Sequence, residues 1–124
     1  MLSLLEKNTV SAYHDQLTGL YNRRAFLEHA YLVSASIFRR NGTLAIMIID
    51  LNKFKQINDI YGHQAGDEVL KLASQKLKNQ LRKSDLIARI GGDEFVVLAE
   101  VENPEDAEKV AKKLRIQSVK PKQS

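Results

Sequence analysis

Cysteine is absent from this sequence, and aromatic residues make up only 6% of its 124 positions. Without cysteine the chain can form no disulfide framework, thiolate zinc site or cysteine nucleophile, so a metal would be held by oxygen or histidine. The few aromatic rings offer little surface for stacking on nucleic-acid bases. These absences are typical of a reducing compartment and leave carboxylates as the main candidates for chemistry.

Long hydrophobic runs are missing as well. No apolar stretch approaches the ~20 residues needed to span a bilayer, and the N-terminus lacks the basic and then apolar order of a signal peptide. We therefore expect a cytoplasmic segment, and any membrane anchor of a full-length protein would lie outside this sequence.

The charge balance is basic, with a formal net charge of +4 and a sequence pI near 9.4. A basic chain could bind nucleic acid, but part of the excess lies near the C-terminus, where a solvated helix face and a frayed end are the simpler interpretation. We therefore predict no nucleic-acid partner, whereas polyanionic nucleotides are compatible with this charge. The basic residues concerned are Lys109, Lys112, Lys113, Arg115, Lys120 and Lys122.

Size and pattern predict one domain, because 124 residues with 44% hydrophobic content can bury one modest core. Residues 1–14 are expected to form the end of a connecting helix. The next helix is predicted to begin at Asn22, a favourable N-cap, and to end at Asn41-Gly42. Its buried stripe is predicted to be Phe26, Ala30, Val33 and Ile37.

The following segments predict a mixture of strands and helices. The apolar run of residues 44–49 has strand length and implies burial on both faces, hence a central position in a sheet. Residues 66–82 carry the apolar stripe of a helix. Residues 86–90 and 95–101 are predicted strands around Gly91-Gly92, a dipeptide able to adopt the positive φ angles of a tight hairpin. Asn103-Pro104 begins a last helix.

The order strand, helix, strand, strand, helix is the ferredoxin-like split pattern without its last strand. The predicted fold class is α+β, with a mainly antiparallel sheet flanked by helices. In a complete pattern the final strand would lie beside residues 44–49, so in this chain we expect that strand to form a sheet edge. Because exposed hydrophobic edges pair with other chains or aggregate, we expect self-association or coverage by the terminal segment.

Two groups of carboxylates stand where predicted strands meet turns. Asp50 closes the run of residues 44–49, and Asp93-Glu94 follows Gly91-Gly92. Mg²⁺ is held by one or two carboxylates while substrate phosphates supply further oxygens, and metal ions can clamp the attacking and leaving oxygens of an in-line displacement. Phosphoryl or nucleotidyl transfer is therefore the first hypothesis, although an isolated Asp at a strand end is often only a turn former.

Four motifs around these acids resemble the GGDEF domain of diguanylate cyclases, in the order and approximate spacing of that family. Residues 15–115 are accordingly expected to be a partial GGDEF domain, followed by a tail at residues 116–124. The motifs are Asp15-Gln16-Leu17-Thr18-Gly19-Leu20-Tyr21-Asn22-Arg23-Arg24, Asp50-Leu51-Asn52-Lys53-Phe54-Lys55-Gln56-Ile57-Asn58-Asp59, Tyr61-Gly62-His63-Gln64-Ala65-Gly66-Asp67 and Gly91-Gly92-Asp93-Glu94-Phe95.

The resemblance implies a ferredoxin-like palm that condenses two GTP molecules into cyclic di-GMP and pyrophosphate at a homodimer interface, with Mg²⁺ or Mn²⁺. It assigns metal binding to Asp50, the Leu51 carbonyl and Asp93. It assigns catalysis to Asp93 and Glu94, with Glu94 positioning the attacking hydroxyl or a second metal. It also implies an upstream sensory domain in the full-length protein.

Asn58 and Asp67 match the guanine-binding positions of the family. Guanine presents adjacent N–H donors that a carboxylate can accept, and a side-chain amide can both donate and accept. The structural alternatives are a loop-capping side chain for Asn58 and a favourable first-turn charge for Asp67. The residues expected at the triphosphate are Lys53, Phe54, Lys55, Gly91 and Gly92, the glycines because they let a ligand approach the backbone.

Arg82 and Asp85 resemble the inhibitory RxxD site of the family, which binds cyclic di-GMP. Considered without the family, they would be a weak ion pair at a helix end. Two departures from the family are present: Asn52 replaces an Asp, and no strand and helix with triphosphate-binding lysine and arginine follow Arg115. We expect little effect from the first departure and very low turnover from the second.

Two alternatives to an active cyclase are open. The first is an inactive regulatory module that binds GTP or cyclic di-GMP, which the second departure favours and the intact Asp93-Glu94 pair opposes. The second is the palm of a nucleic-acid polymerase, which is disfavoured by the guanine pair Asn58 and Asp67 and by the lack of room for a second domain.

Overall fold

The computed structural model describes residues 12–119, and the side chains of residues 12–112. Most of the expected connecting helix and the end of the predicted tail, residues 1–11 and 120–124, lie outside the described residues. The elements are α1 (Arg23–Arg39), β1 (Thr43–Asp50), α2 (Phe54–Tyr61), α3 (His63–Asn79), β2 (Leu86–Arg89), β3 (Glu94–Val101) and α4 (Pro104–Val119).

Within residues 12–119, the sheet has three antiparallel strands in the order β1-β3-β2. Its central strand is β3, whose residues 95–99 are all buried because both faces are covered. The β1 strand pairs with β3 from Thr43 opposite Val101 to Asp50 opposite Glu94. The predicted α+β class with an antiparallel sheet is confirmed.

Helices cover both faces of this sheet. On one face, Phe26 of α1 packs in a cluster with Val96 of β3. On the other face, Leu70 and Leu77 of α3 pack in a cluster with Phe95 of β3. Successive β3 residues therefore face different helical layers, as the alternation of side chains along a strand requires. Within residues 12–119, no helix is both long and apolar enough to cross a membrane.

The predicted boundaries of α1 are confirmed. The Asn22 side chain accepts a hydrogen bond from the Ala25 amide at 2.9 Å, which caps the first turn. Phe26 and Ile37 of the predicted stripe are buried. After the helix, Asn41 adopts a left-handed conformation with φ of 58°, as residues that end helices commonly do.

The prediction that residues 44–49 are buried on both faces is wrong. The β1 strand lies at the edge of the described sheet, and the side chains of Ile46 and Ile48 are 58% and 65% exposed. Both point to the face that carries α1, because they alternate with the buried or half-buried Ala45, Met47 and Ile49. The α1 helix leaves this part of its face uncovered.

Two further differences concern the segment between β1 and β2. Residues 54–61, for which the sequence predicts no element, form α2, and α3 begins at His63 rather than at residue 66. Gly62 separates these helices with φ of 93°, a conformation that favours glycine. Because α3 begins early, Asp67 lies beyond the first turn, and its interpretation as a first-turn charge is wrong.

Candidate functional site

The acidic residues singled out in the sequence meet at one end of the β1-β3 pair. Asp50, the last residue of β1, lies opposite Glu94, the first residue of β3. The Leu51 amide then donates a hydrogen bond of 3.0 Å to the carbonyl oxygen of Asp93. We call this surface, formed by Asp50, Leu51, Asp93 and Glu94, the carboxylate edge.

The accessibility of the carboxylate edge suits a bound ligand. Asp50 is exposed, whereas Asp93 and Glu94 are half-buried. Leu51 anchors the edge, because its side chain is only 2% exposed and lies in the core cluster on the α3 face. Its carbonyl oxygen accepts the Phe54 amide at a long 3.4 Å, and a carbonyl has a second lone pair for another partner.

These groups fit a hard divalent cation only if a ligand supplies further oxygens. Within residues 12–112, no group of three or more histidine, aspartate or glutamate side chains is arranged to hold a metal. Two carboxylates and one carbonyl would leave several coordination positions of the ion for phosphate oxygens or water. Mg²⁺ is usually bound in this way, by a few protein oxygens together with phosphate and water. The carboxylate edge is therefore suited to a metal that arrives with a phosphorylated substrate.

The turn before the carboxylate edge has free space around its two glycines, Gly91 and Gly92. A Cβ at Gly92 would meet no atom within 4 Å, and one at Gly91 would make only an ordinary 3.5 Å contact with the Glu94 Cβ. Neither glycine has a positive φ, so the predicted positive-φ hairpin is wrong. The turn closes through the Ile90 amide, which donates to the Glu94 carbonyl at 2.9 Å.

Arg89 holds this turn in place, a role that the sequence did not indicate. Its guanidinium donates to the Gly92 carbonyl from Nε at 3.1 Å and from Nη2 at 2.9 Å. Its Nη1 forms an ion pair with Asp15 at 3.0 Å, in which both side chains are only 19% exposed. Asp15 in turn accepts the Thr18 amide and hydroxyl at 2.9 and 2.8 Å. We call Arg89, Asp15, Thr18 and the Gly92 carbonyl the Arg89 clamp.

The segment predicted to contact the triphosphate follows β1. Lys53 adopts a left-handed conformation with φ of 63°, which is uncommon for a residue with a side chain, and it directly precedes α2. Phe54 is half-buried against the core, while the Lys53 and Lys55 side chains are exposed. The first amides of α2 have no acceptor within the helix itself. The segment therefore offers amides and two cations beside Asp50.

The two predicted guanine-binding residues lie on neighbouring helices. Asn58 belongs to α2, and its side chain lies over Gly66, the residue that precedes Asp67 in α3. Asp67 is exposed, and its carboxylate has no hydrogen bond or ion pair to other residues of the described range 12–112. The structure thus places the Asn58 amide against Gly66, the residue that precedes Asp67 in the chain.

Arg82 and Asp85 lie near the opposite end of the sheet, by Val101 rather than Glu94. Asp85 is 6% exposed and accepts the Arg82 amide at 2.8 Å and its guanidinium at 3.2 Å. The Arg82 guanidinium also donates to the Glu100 carbonyl at 2.6 Å. These residues line a groove of about 730 Å³, together with Thr43, Val101, Lys109 and their neighbours, which we call the Arg82 groove.

A family model supports the sequence resemblance. The model described as "Diguanylate cyclase, GGDEF domain" matches residues 12–123. The chain is 42% identical over 113 residues to the diguanylate cyclase DgcP of Pseudomonas aeruginosa, covering 91% of this chain and 17% of that protein. It is 44% identical over 101 residues to the diguanylate cyclase TpbB of the same species, covering 81% and 23%. The chain thus spans less than a quarter of either relative.

Solved structures show the same fold. A sensory box/GGDEF family protein from Caulobacter crescentus matches with a TM-score of 0.81 and 34% identity, over 85% of this chain and 69% of that one. The GGDEF domain of TpbB from Pseudomonas aeruginosa matches with a TM-score of 0.79 and 42% identity, over 82% and 60%. The coiled coil and GGDEF domain of DgcB from Caulobacter crescentus, in complex with c-di-GMP, matches with a TM-score of 0.82 and 27% identity, over 93% and 60%.

Proposed function

The chain belongs to the GGDEF domain family of diguanylate cyclases, and from this premise we propose that its carboxylate edge binds one GTP together with Mg²⁺ or Mn²⁺. The observation that carries the proposal is the register that sets Asp50 opposite Glu94, with Leu51 hydrogen-bonded to Asp93. The metal would be held by Asp50, the Leu51 carbonyl and Asp93.

Each chain provides half of a reaction centre, because the product contains two guanylate units. In each half-reaction, the 3′-hydroxyl oxygen of one GTP bonds to the α-phosphorus of the other. The bond from that phosphorus to the oxygen bridging to the β-phosphate breaks, and pyrophosphate leaves with its electron pair. Two such steps between facing protomers yield cyclic di-GMP and two pyrophosphates, so we propose a homodimer as the active form.

The side chains of the carboxylate edge have separate roles in this scheme. A bound divalent ion supplies charge neutralisation for the phosphate oxygens. Asp50 and Asp93 would hold that ion at the end of the β1-β3 pair, and the phosphate oxygens would complete its coordination. Glu94, half-buried beside them, positions the attacking 3′-hydroxyl and can accept its proton, or it contributes to a second metal. The bare surface at Gly91 and Gly92 lets the triphosphate approach the backbone.

Recognition of the rest of GTP falls to α2 and α3. The amides that open α2 attract the terminal phosphates, because a helix N-terminus has donors without partners and a positive dipole end. The side chain of Lys55 adds a cation, with Lys53 and Phe54 contributing backbone groups. Asn58 and Asp67 would read the guanine edge.

A second candidate function is binding of cyclic di-GMP in the Arg82 groove. The observation that favours it is the position of Arg82 beside Asp85 in this groove. The groove lies near the end of the sheet that is opposite to the carboxylate edge. An arginine can hold guanine or phosphate by two parallel hydrogen bonds. The groove would serve either product inhibition of an active cyclase or a regulatory module without turnover.

The comparisons also support a proposal about the wider setting of the domain. Since the relatives are several times longer than the chain, we propose that it works under an upstream sensory domain. GTP and Mg²⁺ are cytoplasmic, and we therefore propose that the domain faces the cytoplasm.

The carboxylate edge can be tested by metal-dependent GTP binding. Asp50→Asn and Asp93→Asn should each abolish binding of GTP in the presence of Mg²⁺, measured by calorimetry, because each removes a charged ligand. Asp59→Asn is the matched control, since Asp59 is an exposed acid on α2 outside the carboxylate edge. If Asp50→Asn and Asp93→Asn bind GTP in the presence of Mg²⁺ with an affinity within twofold of the unmutated chain, the metal site at the carboxylate edge is refuted.

A further inference from the structure

Gly66 occupies a helical position where its backbone does not require glycine. It lies in α3 and is buried. Among the described residues, the glycines with positive φ are Gly19 and Gly62. Glycine is the poorest helix former after proline, so its presence in α3 needs another explanation.

The explanation lies in the side chain of Asn58. A Cβ built on Gly66 would overlap Asn58 Oδ1 and would lie 2.8 Å from Asn58 Cγ. Contacts closer than about 3.0 Å are not tolerated by real Cβ atoms. A methyl group at residue 66 would therefore force the Asn58 amide out of its place.

The backbone on the Asn58 side cannot easily move to make room. The Asn58 carbonyl accepts the Gly62 amide at 2.9 Å, which ends α2. Gly62 in turn accepts the Gly66 amide at 3.2 Å, which ties the start of α3 to the same junction. Because both helices are fixed to each other here, the side chain of Asn58 is the part that would give way.

Asn58 also has unused hydrogen-bonding capacity. Its Oδ1 is buried and has no hydrogen-bond partner in the described part of the chain. Buried polar atoms usually have a partner, and the amide can turn about χ2 to exchange its oxygen and nitrogen. The fold of the described residues therefore leaves the Asn58 amide oxygen without a partner, and the Asp67 carboxylate follows Gly66 directly in the chain.

We infer that Gly66 is a positioning residue for guanine specificity: its missing side chain provides the space that seats the Asn58 amide beside Asp67. This inference rests on the proposed function, since it assumes that Asn58 reads guanine. It assigns Gly66 no direct contact with the nucleotide. Its effect on base selection passes through Asn58.

The test is a double-mutant cycle on nucleotide preference. Affinities of GTP and of ATP, with Mg²⁺, are measured by calorimetry for the unmutated chain, Gly66→Ala, Asn58→Ala and the double variant. Gly66→Ala should reduce the ratio of GTP to ATP affinity about tenfold, the effect of one lost buried hydrogen bond. In the Asn58→Ala background, Gly66→Ala should change that ratio by less than twofold, because the residue through which it acts is already gone.

Gln64→Ala is the matched control. Gln64 is exposed in the first turn of α3, and both substitutions place a good helix former in the same helix. The nucleotide preference of Gln64→Ala should equal that of the unmutated chain. A full preference for GTP in Gly66→Ala, or a further loss of preference in the double variant, would overturn the inference.

Thermal unfolding gives a second readout that needs no nucleotide. Gly66→Ala should raise the melting temperature more in the Asn58→Ala background than in the unmutated chain, because alanine gains helix propensity in both and overlaps Asn58 only in the latter. Equal effects in the two backgrounds would overturn the proposed contact. If instead Asn58→Ala leaves the GTP preference unchanged, the guanine assignment of the proposed function fails. If Asn58→Ala removes the preference and Gly66→Ala does not, only the role of Gly66 fails.

Discussion

At the scale of single residues, Asp67 is an exposed carboxylate in α3 and a candidate for base recognition. Its exposure and its lack of a partner within the described residues mean that the fold does not use its charge. A first-turn role is excluded, because α3 begins at His63. Gly66, the residue before it in the chain, lies against the Asn58 amide. A ligand with paired N–H donors is therefore the simplest use for this carboxylate.

Asp67→Ala should remove the preference for GTP over ATP and leave weak triphosphate binding. An unpaired guanine donor costs about 1–3 kcal/mol, so the preference should fall tenfold or more. Competition between the two nucleotides measures it. Glu68→Ala is the control, since Glu68 is an exposed acid that forms only a long 3.8 Å ion pair with Lys71. Equal affinity of the unmutated chain for both nucleotides would refute the assignment.

At the scale of elements, the Arg89 clamp connects the chain entering the domain to the turn between β2 and β3. The Arg89 amide also donates to the Tyr21 carbonyl at 3.0 Å, so backbone and side chain both join the N-terminal segment to β2. The Gly92 carbonyl immediately precedes Asp93. The position of the carboxylate edge therefore depends on a contact with Asp15, far away in sequence.

Arg89→Ala should lower the free energy of unfolding by about 1–3 kcal/mol, because it removes the side-chain donors of the Gly92 carbonyl and the cationic partner of the half-buried Asp15 carboxylate. Arg89→Lys should recover only part of this loss, since lysine lacks the planar fork of donors. Urea denaturation measures both.

The matched control is Arg24→Ala. Arg24 and Glu28 form an ion pair with 69% and 56% exposed side chains, and such pairs contribute less than about 1 kcal/mol. An Arg89→Ala variant no less stable than Arg24→Ala would show that the Arg89 clamp does not stabilise the turn.

At the scale of the whole molecule, the two proposed ligand sites lie towards opposite ends of β3. Glu94 and Val101 are the two ends of this eight-residue strand, and the seven steps between them span roughly 23 Å at ~3.3 Å per residue. A ligand in the Arg82 groove is therefore too far away to touch the carboxylate edge. Any effect of product on catalysis must pass through the fold or through a second protomer.

Arg82→Ala should abolish binding of cyclic di-GMP outside the carboxylate edge, because it removes the only side chain of the pair that can donate to guanine or phosphate. Asp85→Ala should weaken binding less. Titration of cyclic di-GMP measures both, with Lys83→Ala as the control for loss of one exposed cation. An unchanged affinity in Arg82→Ala would reject the site.

The exposed edge of the sheet has its own consequence. The described β1 strand pairs with one neighbour and presents Ile46 and Ile48 to solvent, and hydrophobic edges of this kind associate. We expect concentration-dependent self-association, measured by analytical ultracentrifugation. Ile48→Lys should suppress it, because a charge on an edge strand opposes pairing.

Ile60→Lys provides the comparison, since Ile60 is 71% exposed on α2 and lies away from the edge. It should leave the association unchanged. A stable monomer at high concentration, before any mutation, would contradict the prediction.

The sequence by itself determined the class of fold, the ends of α1 and the family. These features are local, because a cap such as Asn22 acts within one turn and the apolar composition of residues 95–101 predicts a strand. The position of Asp50 and Asp93 at strand ends was equally readable, since each stands between an apolar run and a turn. Motifs of consecutive residues then identified the family.

Only the tertiary structure decided which distant residues meet. The order of elements predicted that β1 is an edge strand, but its apolar composition wrongly predicted burial on both faces, because burial depends on what packs against the strand. Local pattern also could not pair Arg89 with Asp15, or place the Asn58 amide over Gly66, because these contacts depend on the path of the chain through α2, α3 and the sheet. The sequence shows a glycine at residue 66, but the atom that occupies the space of its absent side chain is Asn58 Oδ1, which belongs to α2.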